Sequence, residues 1–93
     1  MYLRWTPSAF SDLKAISQRI ELARNLDTAN RVCRRIYDGI QLLSQNANAG
    51  KPGIDTGTRE LVISGTPYIV VYRVVAASEA VQVLRIWHCA QKR

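Results

Sequence analysis

The sequence predicts an α+β fold: an N-terminal strand, an antiparallel helical hairpin, then a three-stranded antiparallel meander, with the helices on one face of the sheet. Three observations carry this. Apolar residues recur every three or four positions up to Leu43 and every second position from residue 58 onward. The two helical stripes are separated only by Leu26 to Thr28, which suits an antiparallel hairpin. The strand-like runs at the C-terminal end follow one another through short turns, as in a meander. Helices gathered ahead of such strands, rather than alternating with them, belong to α+β architectures.

The elements follow in order. Residues 2–6 are short, apolar and aromatic and read as a strand, with Tyr2 and Arg4 facing one way and Leu3 and Trp5 the other. Thr6-Pro7 has the form of an N-cap followed by proline in the first helical position. Phe10, Leu13, Ile16, Ile20 and Ala23 then form the stripe of a helix ending near Asn25, with Asp12, Lys14, Arg19 and Arg24 mostly off it. Asp27 or Thr28 can cap a second helix, whose stripe is Ala29, Val32, Cys33, Ile36, Ile40 and Leu43, with Tyr37 beside it. Neither stripe is wide enough for a helix buried all round, so both need a common surface. Residues 46–57 are a loop by composition. Thr58 to Ser64, Tyr68 to Val75 and Ala80 to Trp87 alternate and are rich in β-branched residues, which makes them strands; Gly65-Thr66-Pro67 and Ala76 to Glu79 are the turns between them.

Length and charge bound what such a domain can do. Ninety-three residues, 1–93, suit one small domain with a thin core, to which a partner can add stability. The net charge is +6, and ten of the thirteen basic residues are arginines, whose fork matches carboxylates and phosphates. The apolar fraction of 47% argues against disorder. No apolar run approaches a membrane span, and Met1 to Trp5 lacks the apolar stretch of a signal peptide. Cys33 and Cys89 are too few for a disulfide scaffold and lack metal-site spacing, so a reduced cytoplasmic protein without metal or cofactor is expected.

Strand alternation assigns faces. Residues 68–75 divide into Tyr68, Val70, Tyr72, Val74 and Ile69, Val71, Arg73, Val75; residues 80–88 divide into Val81, Val83, Arg85, Trp87 and Gln82, Leu84, Ile86, His88. Arginine is seldom buried unpaired, so the sets holding Arg73 and Arg85 are expected to face away from the helices. Trp87 would join them, and a single bulge would invert part of this assignment.

Three segments, Gly57-Thr58-Arg59-Glu60-Leu61, Tyr68-Ile69-Val70-Val71-Tyr72-Arg73-Val74 and Val83-Leu84-Arg85-Ile86-Trp87-His88, resemble the RelE/ParE toxins of bacterial type II toxin–antitoxin systems. Trp5-Thr6-Pro7-Ser8-Ala9, Asp12-Leu13 with Ile16, and Gly50-Lys51-Pro52-Gly53 are similar too, so the resemblance runs in order over nearly the whole chain. It implies a helical hairpin on an antiparallel sheet, and a growth-inhibiting toxin neutralised by a small antitoxin whose C-terminal segment wraps it. The RelE branch cuts messenger RNA in the ribosomal A site; the ParE branch inhibits DNA gyrase.

RNA cleavage by 2′-OH attack needs a base, cations for the charge growing on the phosphate, and an acid for the leaving oxygen. His88 is the chain's one histidine, the residue type that both takes and gives protons near neutrality. Arg73 and Arg85 are candidate phosphate clamps, with Lys51 and Arg59 from the loop side. The RelE branch, however, usually carries a cation at the position matching Ile69, and often a tyrosine or His-Tyr pair near the C-terminus. Here no tyrosine follows Tyr72, Cys89 follows His88, and only five residues follow His88, without a closing helix. Tyr72-Arg73-Val74 and the leucine, arginine and histidine of the last strand resemble the ParE branch instead. The expected target- and antitoxin-binding residues are therefore Arg59, Ile69, Arg73, Arg85, Trp87 and His88, and the expected partners are an acidic antitoxin, in a hetero-oligomer, and gyrase.

Structural roles compete at each position. Tyr72 reads as core with its hydroxyl bonded, Arg59-Glu60 as a surface pair, and Arg31, Arg34 and Arg35 as a solvated face. Cys33 reads as a small buried apolar group and Cys89 as exposed. The alternative to gyrase binding is a metal-independent, ribosome-dependent ribonuclease using His88, Arg85, Arg73 and Lys51. A general nucleic-acid binder fits the charge but lacks aromatic residues interleaved with the basic ones.

Overall fold

The computed structural model describes residues 1–91. Strand β1 spans Tyr2–Trp5, helix α1 Pro7–Ala23 and helix α2 Leu26–Gln41; β2 is Lys51–Pro52, β3 Arg59–Val62, β4 Tyr68–Val75 and β5 Ala80–His88. One five-stranded sheet runs in the order β1-β5-β4-β3-β2. β1 lies parallel to β5, and every other pair is antiparallel. The helices pack on one face, so the expected α+β architecture is the observed one.

Local chemistry sets the helix starts. The Thr6 hydroxyl accepts from the Ala9 N–H at 3.1 Å, and Pro7, which has no N–H to leave orphaned, occupies the first turn. The second cap is Asn25, whose side-chain oxygen accepts from the Thr28 N–H at 2.8 Å, rather than Asp27 or Thr28. The earlier start places Asp27 inside the first turn, where its charge faces the positive helix end. In α1 the inward residues are Ala9 and Ile16, with Leu13 and Ile20 half-buried; Phe10, expected on the stripe, is exposed. The small Ala9 lets the helix start lie close to the sheet.

One core joins the layers. Ile16, Ile36 and Ile40 from the helices meet Tyr68, Val70, Val83 and Ile86 from the sheet. Tyr72, Val81 and Leu43 continue it beneath the loop after α2. Each fully buried aliphatic side chain of this kind contributes about 1.5–3 kcal/mol. Tyr72 is core with a bonded hydroxyl, as expected: it donates to Ala47 O and accepts from the Gly50 N–H, both at 2.8 Å. Gly50 fits because a Cβ there would meet that hydroxyl at 2.7 Å. This anchoring brings the chain back to pair as β2, a two-residue strand within the segment expected to be loop only.

β5 carries the feature that decides its faces. Val71 pairs with Arg85 but Tyr72 pairs with Val83, so Leu84 is an extra residue. Before this bulge Val81 and Val83 point to the helices; after it Ile86 does. The expected grouping of Val81, Val83, Arg85 and Trp87 on one face is thus corrected. Arg85 and Trp87 occupy the open face, and Val81 and Val83 the covered one.

Candidate functional site on the open sheet face

The open face is built in rows across the strands. Val62, Ile69 and Trp87 form one row, Glu60, Val71 and Arg85 the next, and Arg73 faces Gln82 in a third. Of the expected binding residues, Ile69, Arg73, Arg85 and Trp87 therefore share this face. His88 and Arg59 do not, because their partners in register, Tyr68 and Tyr72, belong to the covered face. Lys51 lies on β2, at the far edge of the sheet from β5, and is exposed.

Each arginine of the open face has a partner within the chain. Arg73 Nε donates to Gln82 Oε1 at 2.8 Å. Arg85 forks onto Asp12 of α1, Nε to Oδ2 at 2.7 Å and Nη2 to Oδ1 at 3.1 Å. Its guanidinium also sits 4.4 Å from the centre of the Trp87 ring, a cation–π distance. Hydrogen bonding to Asp12 raises Arg85 further above its ordinary pKa, against the opposing effect of burial.

The placement of Asp12 follows from the unequal lengths of β1 and β5. β1 ends at Trp5, whereas β5 continues to His88, so the outer edge of β5 loses its parallel neighbour beyond Val83. The start of α1 takes over. The Thr6 N–H donates to Val83 O at 3.1 Å and the Thr6 hydroxyl to Leu84 O at 3.0 Å. Asp12 Oδ2 then accepts the Ile86 N–H at 2.9 Å. One carboxylate thus closes a strand edge and fixes Arg85 against Trp87. Sequence reasoning placed Asp12 only off the helical stripe; its partners lie more than 70 residues away, and local spacing carries no sign of them.

Glu60 was also missed as part of this face. It is only 6% exposed, and its Oε2 accepts the Ile54 N–H at 3.2 Å, which folds the 53–58 loop over the sheet. Arg59 turns the other way and donates from Nη1 to Gly50 O at 2.7 Å. Arg59-Glu60 is therefore not the expected surface pair: both residues hold the loop segments on either side of β2. Between the 53–58 loop and the end of β5 lies a hollow of about 510 Å³, with Thr58, Glu60, Val71, Leu84, Arg85 and Trp87 among its lining residues.

His88 stands edge-on to the buried Tyr68 at a centroid distance of 5.4 Å, and its Nδ1 accepts the Ala90 N–H at 3.0 Å. The groups that strand cleavage would recruit are thus split across the sheet, with the histidine on one face and both arginines on the other. What the open face offers is a half-buried tryptophan beside aliphatic side chains, an Arg85 paired with Asp12, and an exposed Arg73 bonded to the neutral amide of Gln82. Among the described residues no cluster of three or more His, Cys, Asp or Glu could hold a metal ion, and no helix is long and apolar enough to cross a membrane.

Comparison with known proteins agrees with the fold. Residues 3–93 match the family model described as the ParE toxin of the type II toxin–antitoxin system parDE. The chain is 37% identical over 90 residues to a Sinorhizobium fredii protein named "Putative toxin Y4kP", covering 97% of this chain and 90% of the relative. A solved chain from a chromosomal ParDE system of P. aeruginosa superposes with a TM-score of 0.87 at 30% identity, over 95% of each chain. A chain of the RelBE2 toxin–antitoxin complex of Mycobacterium tuberculosis matches with a TM-score of 0.68 at 23% identity, over 94% of this chain and 95% of that one. The latter likeness carries the fold alone. The chain belongs to the ParE toxin family of type II toxin–antitoxin systems.

Proposed function

We propose that this toxin acts by binding rather than by cutting. It holds DNA gyrase through the open sheet face and is neutralised by a small acidic antitoxin with which it forms a hetero-oligomer. The observation that carries this reading is the commitment of Arg85. Its guanidinium is forked onto Asp12 and stacked on Trp87, while His88 lies on the opposite face. A phosphate clamp would first have to break a charge-assisted bidentate pair. The family match and the neighbouring ParDE structure support the same branch.

The test pairs two assays on the purified toxin. Gyrase supercoiling is expected to stop at micromolar toxin, and Trp87→Ala is expected to raise the required concentration at least tenfold, as loss of a central aromatic contact does. Unchanged supercoiling at micromolar excess, together with cleavage of ribosome-bound message that His88→Ala or Arg85→Ala abolishes, overturns the proposal in favour of a ribonuclease.

A further inference from the structure

Among the described residues no strand pairs with the outer side of β1. The Tyr2 N–H donates to Glu79 O at 2.9 Å and the Thr6 N–H to Val83 O at 3.1 Å, so Tyr2, Arg4 and Thr6 turn their backbone groups toward β5. Alternation along the strand turns the N–H and C=O of Leu3 and Trp5 outward. On the helix side of this edge, Leu3, Trp5, Phe10, Leu13, Tyr37 and Gln41 line a groove of about 490 Å³ without a charged residue. Phe10 is 64% exposed and Tyr37 44%. The nearest helical cations, Lys14 and Arg34, stand one turn beyond Phe10 and Tyr37. Arg34 and Asp38 border other depressions. On the open side of β1 lie Tyr2 and Arg4, both exposed. Tyr2 borders a hollow of about 370 Å³ together with Met1 and Glu79.

We propose that this edge is an interface between two copies of the toxin, in which β1 pairs antiparallel with β1 of the partner copy about a twofold axis at Leu3. Two registers let both Leu3 and Trp5 use their outward groups. One sets Arg4 against Arg4 in a non-hydrogen-bonded pair, with about 4.5 Å between Cα atoms, and like charges directly opposite are destabilising. The other centres on Leu3. There Leu3 exchanges two backbone bonds with its counterpart, Trp5 pairs with Met1, and Arg4 lies opposite Tyr2. Each Arg4 then extends past a Tyr2 ring toward the hollow that Glu79 borders, so the opposite charges meet twice about the axis. The two grooves become continuous, and Phe10 and Tyr37 lose their exposure. Opposed strand directions keep Lys14 and Arg34 of the two copies at opposite ends. The occupant is a second copy rather than an acidic peptide because the groove offers an acidic side chain no cation, whereas the backbone phase and the Arg4–Glu79 contact are self-complementary. The net charge of +6 on each copy opposes association, but charges more than about 10 Å apart are largely screened in salt. The dimer does not depend on which target the toxin has.

The experiment is sedimentation of the full-length toxin alone, where a dimer dissociating at micromolar concentration is expected. The double variant Phe10→Lys, Tyr37→Lys is expected to raise the dissociation constant at least tenfold, with a melting temperature close to that of the wild type because both side chains are exposed. Arg4→Glu, which sets like charges together at the hollow, is expected to weaken the dimer at least tenfold, and adding Glu79→Arg to restore it to within about threefold of wild type. Amide exchange at Leu3 and Trp5 is expected to slow as the dimer forms, with Arg4, already turned to β5, as the internal reference. A toxin that stays monomeric at about 1 mM overturns the proposal. So does a dimer indifferent to both variants, which would lie on another surface, and so does failure of the charge swap to rescue Arg4→Glu. Slowing of Leu3 exchange only when the product of the neighbouring reading frame is added overturns it by giving the edge to a different chain.

Discussion

On the covered face of the sheet Val70, Tyr72, Val83 and Ile86 are at most 3% exposed and touch side chains of both helices or of the loop after them. On the open face Ile69, Arg73, Arg85 and Trp87 remain at least partly accessible, and the arginines meet Gln82, Asp12 and Trp87. Both faces come from the same two strands. The covered one is held by volume, and a gap there cannot be refilled by water. The open one is held by charge and polar pairing in reach of solvent, where each pair contributes little by itself. Stability is therefore concentrated on one side of the sheet, and recognition can be carried by the other.

The largest effect expected from breaking this division comes from the polar anchor of the covered face. Tyr72→Phe keeps the ring but removes the hydroxyl that joins Ala47 O and the Gly50 N–H. Two groups lose their partner, each at about 1–3 kcal/mol, so a total loss of about 2–6 kcal/mol is expected in denaturant titration. The 47–52 segment would loosen first, visible as faster amide exchange at Gly50. A loss below about 0.5 kcal/mol, the size of an ordinary surface substitution, would show that loop closure does not depend on the covered face.

The next effect separates the two roles of Asp12. Asp12→Ala removes the acceptor for the Ile86 N–H and releases Arg85, at a cost of about 1–3 kcal/mol. Asp12→Asn retains an oxygen for Ile86 but loses the ionic fork, so it should cost less than half as much, and that remainder should shrink in high salt. Equal losses in the two variants would mean that the ion pair, not the strand-edge bond, dominates, and that the open face is as structural as the covered one.

These residues also mark what could be read from the chain alone. The helices were legible because Thr6-Pro7 and the spacing of Ile16, Ile36 and Ile40 express local geometry. The meander was legible because β4 alternates without interruption. β2 was not, since two exposed residues, one a proline, present no period. The bulge at Leu84 was not either: a period of two continues smoothly through it, and the Thr6 hydroxyl that bonds Leu84 O lies 78 residues away. On the open face, the grouping of Arg73, Arg85, Trp87 and Ile69 was legible as alternation. The partner that balances Arg85 was not, because Asp12 arrives from another layer. Arg59 and His88 were placed with the site by their position in family-like motifs, and register alone moved them to the other face.

The smallest expected effect compares a thiol within the helical layer with one beyond the end of β5. Cys33 on α2 is half-buried, and burial raises its thiol above the ordinary value of 9.0, partly offset by a hydrogen bond with Ser17 on α1. Cys89 is exposed. Because the folded chain holds the Cys33 proton more tightly than the unfolded chain, the associated stability is present below the ordinary value and fades as pH rises through the folded one. Reactivity follows the same sign, since the thiolate is the nucleophile. At pH 8 iodoacetamide should therefore modify Cys89 several-fold faster than Cys33, as read by peptide mass spectrometry over time, and denaturant should narrow the gap. Cys33 reacting as fast as Cys89 in the native protein would mean that the helical hairpin opens on the labelling timescale, and that the covered face is less securely covered than its packing implies.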